Sequence, residues 1–129
     1  MKTAIKHKLS RLGILHYLDS LRMGWEKRVW LDNGCKGTAP PPVKRKILLA
    51  YMRQFGLNQF VETGTYLGDT LAYIAQNKKI QCTSIELADE YYEQAKVRFQ
   101  SYHNVKLLHG DSGTHIAKVV TTLYEPALF

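Results

Sequence analysis

The chain has 129 residues, of which 45 % are apolar and 22 % charged. That is the composition of one globular domain, and it excludes a disordered, collagen-like or disulfide-scaffold chain. The net charge of +7 is unevenly spread, with twelve Lys/Arg against three Asp/Glu in residues 1–57 and six against eight in residues 58–129.

Residues 4–23 carry apolar side chains at a helical period (Ile5, Leu9, Leu12, Leu18, Leu21) and predict an amphipathic helix, with Met23 to Val29 as its ragged end. Asp32 to Pro42 contains Asn33-Gly34, Gly37 and three consecutive prolines, and reads as a loop or linker with the prolines extended. This divides the chain into a basic helical extension with its Pro-rich linker (1–42) and a main unit (43–129). The extension's charge suits nucleic acid or an anionic membrane surface. With no aromatic residues interleaved along a basic stripe, a solvated basic face is the reading preferred here.

From Val43 the pattern changes. Val43 to Phe55 reads as a helix with Ile47, Leu48, Tyr51, Met52 and Phe55 on one side, stopped by Gly56. Gln59 to Glu62 is a short strand, Thr63 to Gly68 a turn, and Asp69 to Gln76 a helix. Lys79 to Glu86 is a second strand. A helix follows over Asp89 to Tyr102, with Asp89 as its candidate cap. Val105 to His109 is a third strand, Gly110-Asp111-Ser112 a turn, Thr114 to Tyr124 a helix, and Ala127 to Phe129 the start of a fourth strand. Strict alternation of this kind implies an α/β fold with parallel strands joined by right-handed crossovers.

The longest apolar run, Ile47 to Met52, has six residues, where a membrane span needs about twenty. The N-terminus has no apolar stretch of the secretory type. Cys35 and Cys82 are far apart, so reduced thiols in the cytoplasm are expected. No pattern of the five histidines matches a metal site such as H-E-x-x-H, so no metal is expected. His109 and His115, which flank Asp111, read as surface or packed side chains. Cys82, inside a strand, reads as core. Trp25 and Trp30 read as packing of the extension rather than a membrane contact. Ser112 is not on a G-x-S-x-G turn and is not expected to be a nucleophile.

The chemistry concentrates where the first strand runs into a glycine turn that opens a helix. In open α/β sheets the ligand crevice lies at the carboxyl ends of the strands. Gly64 lets backbone approach a ligand closely, and the next helix offers unpaired N–H groups. Glu86 ends the second strand 22 residues beyond Gly64. An acid about twenty residues past the glycine turn is the position that holds ribose hydroxyls; the plainer reading is a solvated strand-end acid. Glu62 would repel a pyrophosphate and welcome an ammonium group. Neither G-x-G-x-x-G nor a phosphate-binding loop is present, so a dehydrogenase fits poorly. A ligand with adenosine at one end and an amino acid at the other satisfies both acids.

The run Val61-Glu62-Thr63-Gly64-Thr65-Tyr66-Leu67-Gly68 resembles the first motif of class I S-adenosylmethionine-dependent methyltransferases. Ser84-Ile85-Glu86-Leu87 resembles the second motif, and His109-Gly110-Asp111-Ser112 the third. The resemblance covers residues 43–129. It implies a Rossmann-like three-layer α/β/α sandwich with strand order 3-2-1-4 and S-adenosyl-L-methionine as cofactor. By resemblance, Glu62 lies near the methionine amino group and Gly64 under the methionine portion. Glu86 holds the ribose, and Asp111 with Ser112 faces the adenine. Thr65 and Gly68 are further cofactor-binding candidates in the same turn, and Asp69 is a lesser contributor. Tyr66 stands where many members have glycine. For Asp111 a turn acid or helix cap is the alternative.

The family's domain normally has seven strands, and this sequence stops as the fourth begins. The expectation is therefore an incomplete domain that is the N-terminal half of a longer one, is truncated, or is completed by a second chain through the open sheet edge. The first functional expectation is methyl transfer to an unknown acceptor, with no catalytic base assigned. The alternative is a non-catalytic module that binds an adenosine ligand or a protein partner.

Overall fold

A computed structural model describes residues 14–129 and divides the chain into two compact units, one ending at Lys46 and one spanning Ile47–Phe129. The elements are α1 (Ile14–Asp32), α2 (Pro41–Gln54), β1 (Gln59–Thr63), α3 (Asp69–Ala75), β2 (Gln81–Glu86), α4 (Asp89–Phe99), β3 (Val105–His109), α5 (Ser112–Thr122) and β4 (Ala127–Leu128). Among the described residues, no helix is long and apolar enough to cross a membrane. The part of the N-terminal helix expected over residues 4–13 lies outside the described residues.

In the first unit, α1 continues through Gly24 to Asp32, so the expected ragged end is helical. One glycine disfavours a helix by only about 1 kcal/mol relative to alanine, which the flanking turns outweigh. The proline triplet is a second correction. Pro41 and Pro42 open α2 rather than remaining extended. The first-turn N–H groups of a helix have no intrahelical partner, so proline loses nothing there, and its fixed φ suits the helix.

In the second unit the four strands form one parallel sheet in the order β3-β2-β1-β4. This is the order expected from the sequence. Alternation along each strand sends side chains to two faces. On one face, Phe60, Ile80 and Cys82 join Met52 of α2, Leu71, Ile74 and Ala75 of α3, and Ala95 and Phe99 of α4. On the other, Val61 and Ile85 meet Val119 of α5, with Leu108, Ile116, Leu123 and Ala127 around them. Helices on both faces of a parallel sheet make the three-layer Rossmann-like α/β/α arrangement.

The packed stripe of α2 is narrower than its sequence suggests. Leu48, Leu49 and Met52 face the core, whereas Ile47, Tyr51 and Phe55 are exposed, and the rings of the last two meet at a tilt with centroids 4.5 Å apart. Five apolar positions cannot all face one sheet from a single helix; the i, i+4 row furthest from the contact line remains outside. Asp89 is not the cap of α4. The N-cap is Ala88, with no side-chain cap bond, and Asp89 instead lies 2.9 Å from His109 Nε2.

Buried polar groups knit the edges of the layers. Asn104 donates to the carbonyls of Ala75 and Ile80 at 3.0 and 2.9 Å. Gln59 donates to the Glu125 carbonyl at 3.0 Å, which ties the entry of β1 to the segment before β4. Ile74 is fully buried in the larger core. Ile74→Ala is expected to lower unfolding free energy by about 2–5 kcal/mol, measured as a shifted urea midpoint with an unchanged slope.

Candidate functional site

The site grows from the ends of β1 and β2. Period-2 alternation places Phe60 and Glu62 on one face of β1, and Cys82, Ser84 and Glu86 on the same face of β2. The register pairs Glu62 directly with Ser84. The polar ends of two otherwise apolar strand faces therefore meet. Ser84, fully buried, donates to Glu62 Oε1 at 2.9 Å. Its single proton is thereby used, so the Thr65 hydroxyl, 2.7 Å away, is the donor to Ser84. Burial pushes the Glu62 carboxyl up to about 7, with the Ser84 hydrogen bond opposing the shift and the charge of Glu86 adding to it.

Glu86 is 6 % exposed. Its carboxylate holds two loops at once. The Tyr66 N–H donates to Oε2 at 2.8 Å, and the Ala88 N–H donates to Oε1 at 2.9 Å. The turn after β1 is thus fixed to the turn after β2. Tyr66 has φ +50°, an uncommon value for a residue with a side chain. Its ring packs edge-on against Tyr91 at 4.8 Å. The Gly64 N–H donates to the Ile85 carbonyl at 2.7 Å, which extends the β1–β2 ladder into the turn.

Two glycines in this turn have different reasons. Gly64 has φ +85° and open space where a Cβ would stand. Gly68, the N-cap of α3, has φ +75°, and a Cβ there would lie 2.7 Å from the Phe99 ring. Gly68 is required by packing, whereas Gly64 leaves room beside the strand ends. Asp69 pairs with Arg98 at 2.7 Å, and the same guanidinium donates to the Leu67 carbonyl. Asp111 caps α5, accepting from the Thr114 N–H at 2.8 Å and the Thr114 hydroxyl at 3.0 Å. These bonds hold its carboxyl below the usual range.

A cavity of about 230 Å³ opens at the carboxyl ends of the three strands, lined by Thr63, Gly64, Ile85, Glu86, Leu87, Gly110, Asp111 and Ser112. Of the residues singled out from the sequence, Gly64, Glu86, Asp111 and Ser112 meet in its wall. Glu62, Thr65 and Gly68 do not line it: they stand behind the turn, Glu62 and Thr65 joined through Ser84. Ser84, Leu87 and Gly110 stood in the second and third motifs without an assigned role, and the N–H groups of Tyr66 and Ala88 were not anticipated as site elements. Ser84 shares its strand face with Glu86, and that alternation together with its place in the second motif is the sequence signal for it; its pairing with Glu62 is set by register. Among the described residues, no group of three or more His, Cys, Asp or Glu is placed to hold a metal ion.

No protein-family model and no curated protein matches the chain. Solved structures do. A Staphylococcus aureus protein assigned as a caffeoyl-CoA O-methyltransferase superposes with a TM-score of 0.60 at 18 % identity, over 87 % of this chain and 57 % of its own. An O-methyltransferase from Bacillus cereus, solved in complex with SAH, superposes with a TM-score of 0.56 at 16 % identity, over 81 % and 50 %. The fold is that of the class I S-adenosylmethionine-dependent methyltransferases. The chain spans about half the length of these methyltransferase structures.

The residues present fit that fold's cofactor by two local features: a buried carboxylate held rigid at the end of β2, and a side-chain-free approach over Gly64. The raised Glu62 pKa also sets a pH dependence. The unfolded carboxyl loses its proton near 4.5 and the folded one only near 7, so the folded chain binds more protons in between and its stability falls as pH rises across that window. Glu62→Gln is expected to remove this contribution, seen as a flatter difference between unfolding free energies at pH 5 and pH 8.

Proposed function

We propose that the chain binds S-adenosyl-L-methionine at the carboxyl ends of β1 and β2 and serves class I methyl transfer. The supporting observation is Glu86, buried at the second strand's end, braced by two backbone N–H groups and facing a cavity beside Gly64. Each of its oxygens accepts one backbone hydrogen bond and keeps acceptor capacity for a ribose hydroxyl. When bound, the cofactor supplies an electrophilic sulfonium methyl group to an acceptor nucleophile.

The chain's own residues bind and orient in this reading. Gly64 lets the backbone pass close under the ligand, and Leu87 offers an apolar wall beside Glu86. Asp111 and Ser112 border the opposite side of the cavity, where the adenine would lie. Glu62, one residue before the cavity wall, draws an ammonium group toward the first turn; Thr65, through Ser84, holds that acid in place, and Gly68 and Asp69 shape the start of α3. Rate enhancement of such a transfer comes mainly from holding donor and acceptor in line. The free thiols of Cys35 and Cys82 support a reducing compartment such as the cytoplasm.

Calorimetric titration with S-adenosylhomocysteine is expected to show one site, with no heat from NAD. Glu86→Ala is expected to weaken binding by about 30-fold or more, the equivalent of losing charge-assisted hydrogen bonds of about 2 kcal/mol or more. Equal affinity in the variant, with its fold retained by circular dichroism, would remove the reading. An ammonium beside Glu62 favours the ionised carboxylate, so affinity is expected to rise from pH 5.5 to 7.5. Glu62→Gln is expected to flatten that rise.

A further inference from the structure

The two faces of the sheet are covered unequally, and the lighter one holds a second cavity. Position pairing puts Thr83 of β2 beside Lys106 of β3 on the face that α5 covers. Strands in a parallel sheet are buried on both faces and ordinarily apolar there. Here two polar side chains stand next to Ile85 and Leu108. Across from them α5 presents His115, Lys118 and Thr122. Together with Leu108 and Val119 these residues enclose about 130 Å³. The cavity shares no lining residue with the one at the strand ends.

Its chemistry is one-sided. Its polar lining residues are two lysines, both exposed, two threonines and a histidine, with no carboxylate. The Thr122 hydroxyl donates to the Val119 carbonyl at 2.7 Å, and His115 Nε2 lies 3.0 Å from the His109 carbonyl, so those donors are committed. Lys106, Lys118 and Thr83 make no ion pair or side-chain hydrogen bond among the described residues. Two lysines bordering one small polar space, with no carboxylate among the lining residues, give it a positive potential that favours an anion. A dianion neutralises both, whereas a monoanion leaves one charge over.

We propose that this cavity is a binding site for a phosphoryl dianion, free phosphate or a small phosphate monoester, held by Lys106, Lys118 and the Thr83 hydroxyl. Leu108 and Val119 form an apolar wall against which the ester's organic group packs. Charge-assisted hydrogen bonds from ammonium to phosphate are the strong kind, and at neutral pH a monoester is largely dianionic. The site is independent of the methyltransferase reading, since neither set of residues contributes to the other.

The test is an NMR titration of the full chain at pH 7.5 and fixed ionic strength. The probes are inorganic phosphate and phenyl phosphate, with dimethyl phosphate as the monoanionic control. Saturable shifts at Thr83, Lys106, His115 and Lys118 are expected for the first two and not for the third, with phenyl phosphate the tighter. Tighter inorganic phosphate would restrict the site to the free ion and overturn the monoester part. The double variant Lys106→Gln/Lys118→Gln is expected to weaken binding about tenfold or more, and Lys79→Gln to leave it unchanged. Shifts that do not saturate, that spread over the basic surface, or that persist in the double variant would overturn the proposal.

Discussion

Glu86 carries the constraint on which the site depends. Its carboxylate accepts the Tyr66 N–H from one turn and the Ala88 N–H from the next, at 2.8 and 2.9 Å. A nearly buried charge is tolerated only when hydrogen-bonded, and these two donors satisfy it while joining the loops that follow β1 and β2. The positive φ of Tyr66 follows from this arrangement. A tyrosine in that conformation is strained, and its N–H bond to Glu86 and the Tyr91 contact hold it there. One side chain thus fixes the floor of the cavity and the backbone that borders it.

Behind the turn, the same sheet face turns from apolar to polar within two residues. Phe60 and Cys82 belong to the larger core, and the next residues on that face are Glu62 and Ser84. The Thr65–Ser84–Glu62 chain lets Thr65 and Ser84 be buried, and Glu62 half-buried, without orphaned hydroxyl donors. Its consequence is a carboxyl that titrates near 7 rather than 4.5, since one hydroxyl donor does not offset desolvation. The opposite sheet face is covered by α5 with a small core, and beside that core Thr83 and Lys106 face α5 with a second set of polar groups.

Much of this was legible in the chain itself. Alternating helical and strand periods from Val43 onward set the α/β class with parallel strands, and the resemblance implied the strand order. The spacing from Gly64 to Glu86 marked both ends of the crevice. What misled were local rules applied without context. The proline triplet looked extended, yet Pro41 and Pro42 occupy a helix start, where their lack of N–H is harmless. Asp89 looked like a cap, yet His109 takes its carboxylate. Ile47, Tyr51 and Phe55 looked like core, yet a helix touching one sheet buries only one stripe.

The sequence by itself determined the order of elements, the two strand-end acids and the glycine turn between them, because these follow from periodicity and chain distance. Only the tertiary structure decided which of those residues share a wall. Register is a relation between strands distant in sequence, and it alone pairs Glu62 with Ser84 and Thr83 with Lys106. The meeting of Gly64, Glu86 and Asp111 around one cavity, with Glu62 and Gly68 behind it, likewise depends on how three turns close over parallel strands. No local propensity encodes that closure, since it joins groups distant in sequence, as in the bond from the Tyr66 N–H to the Glu86 carboxylate.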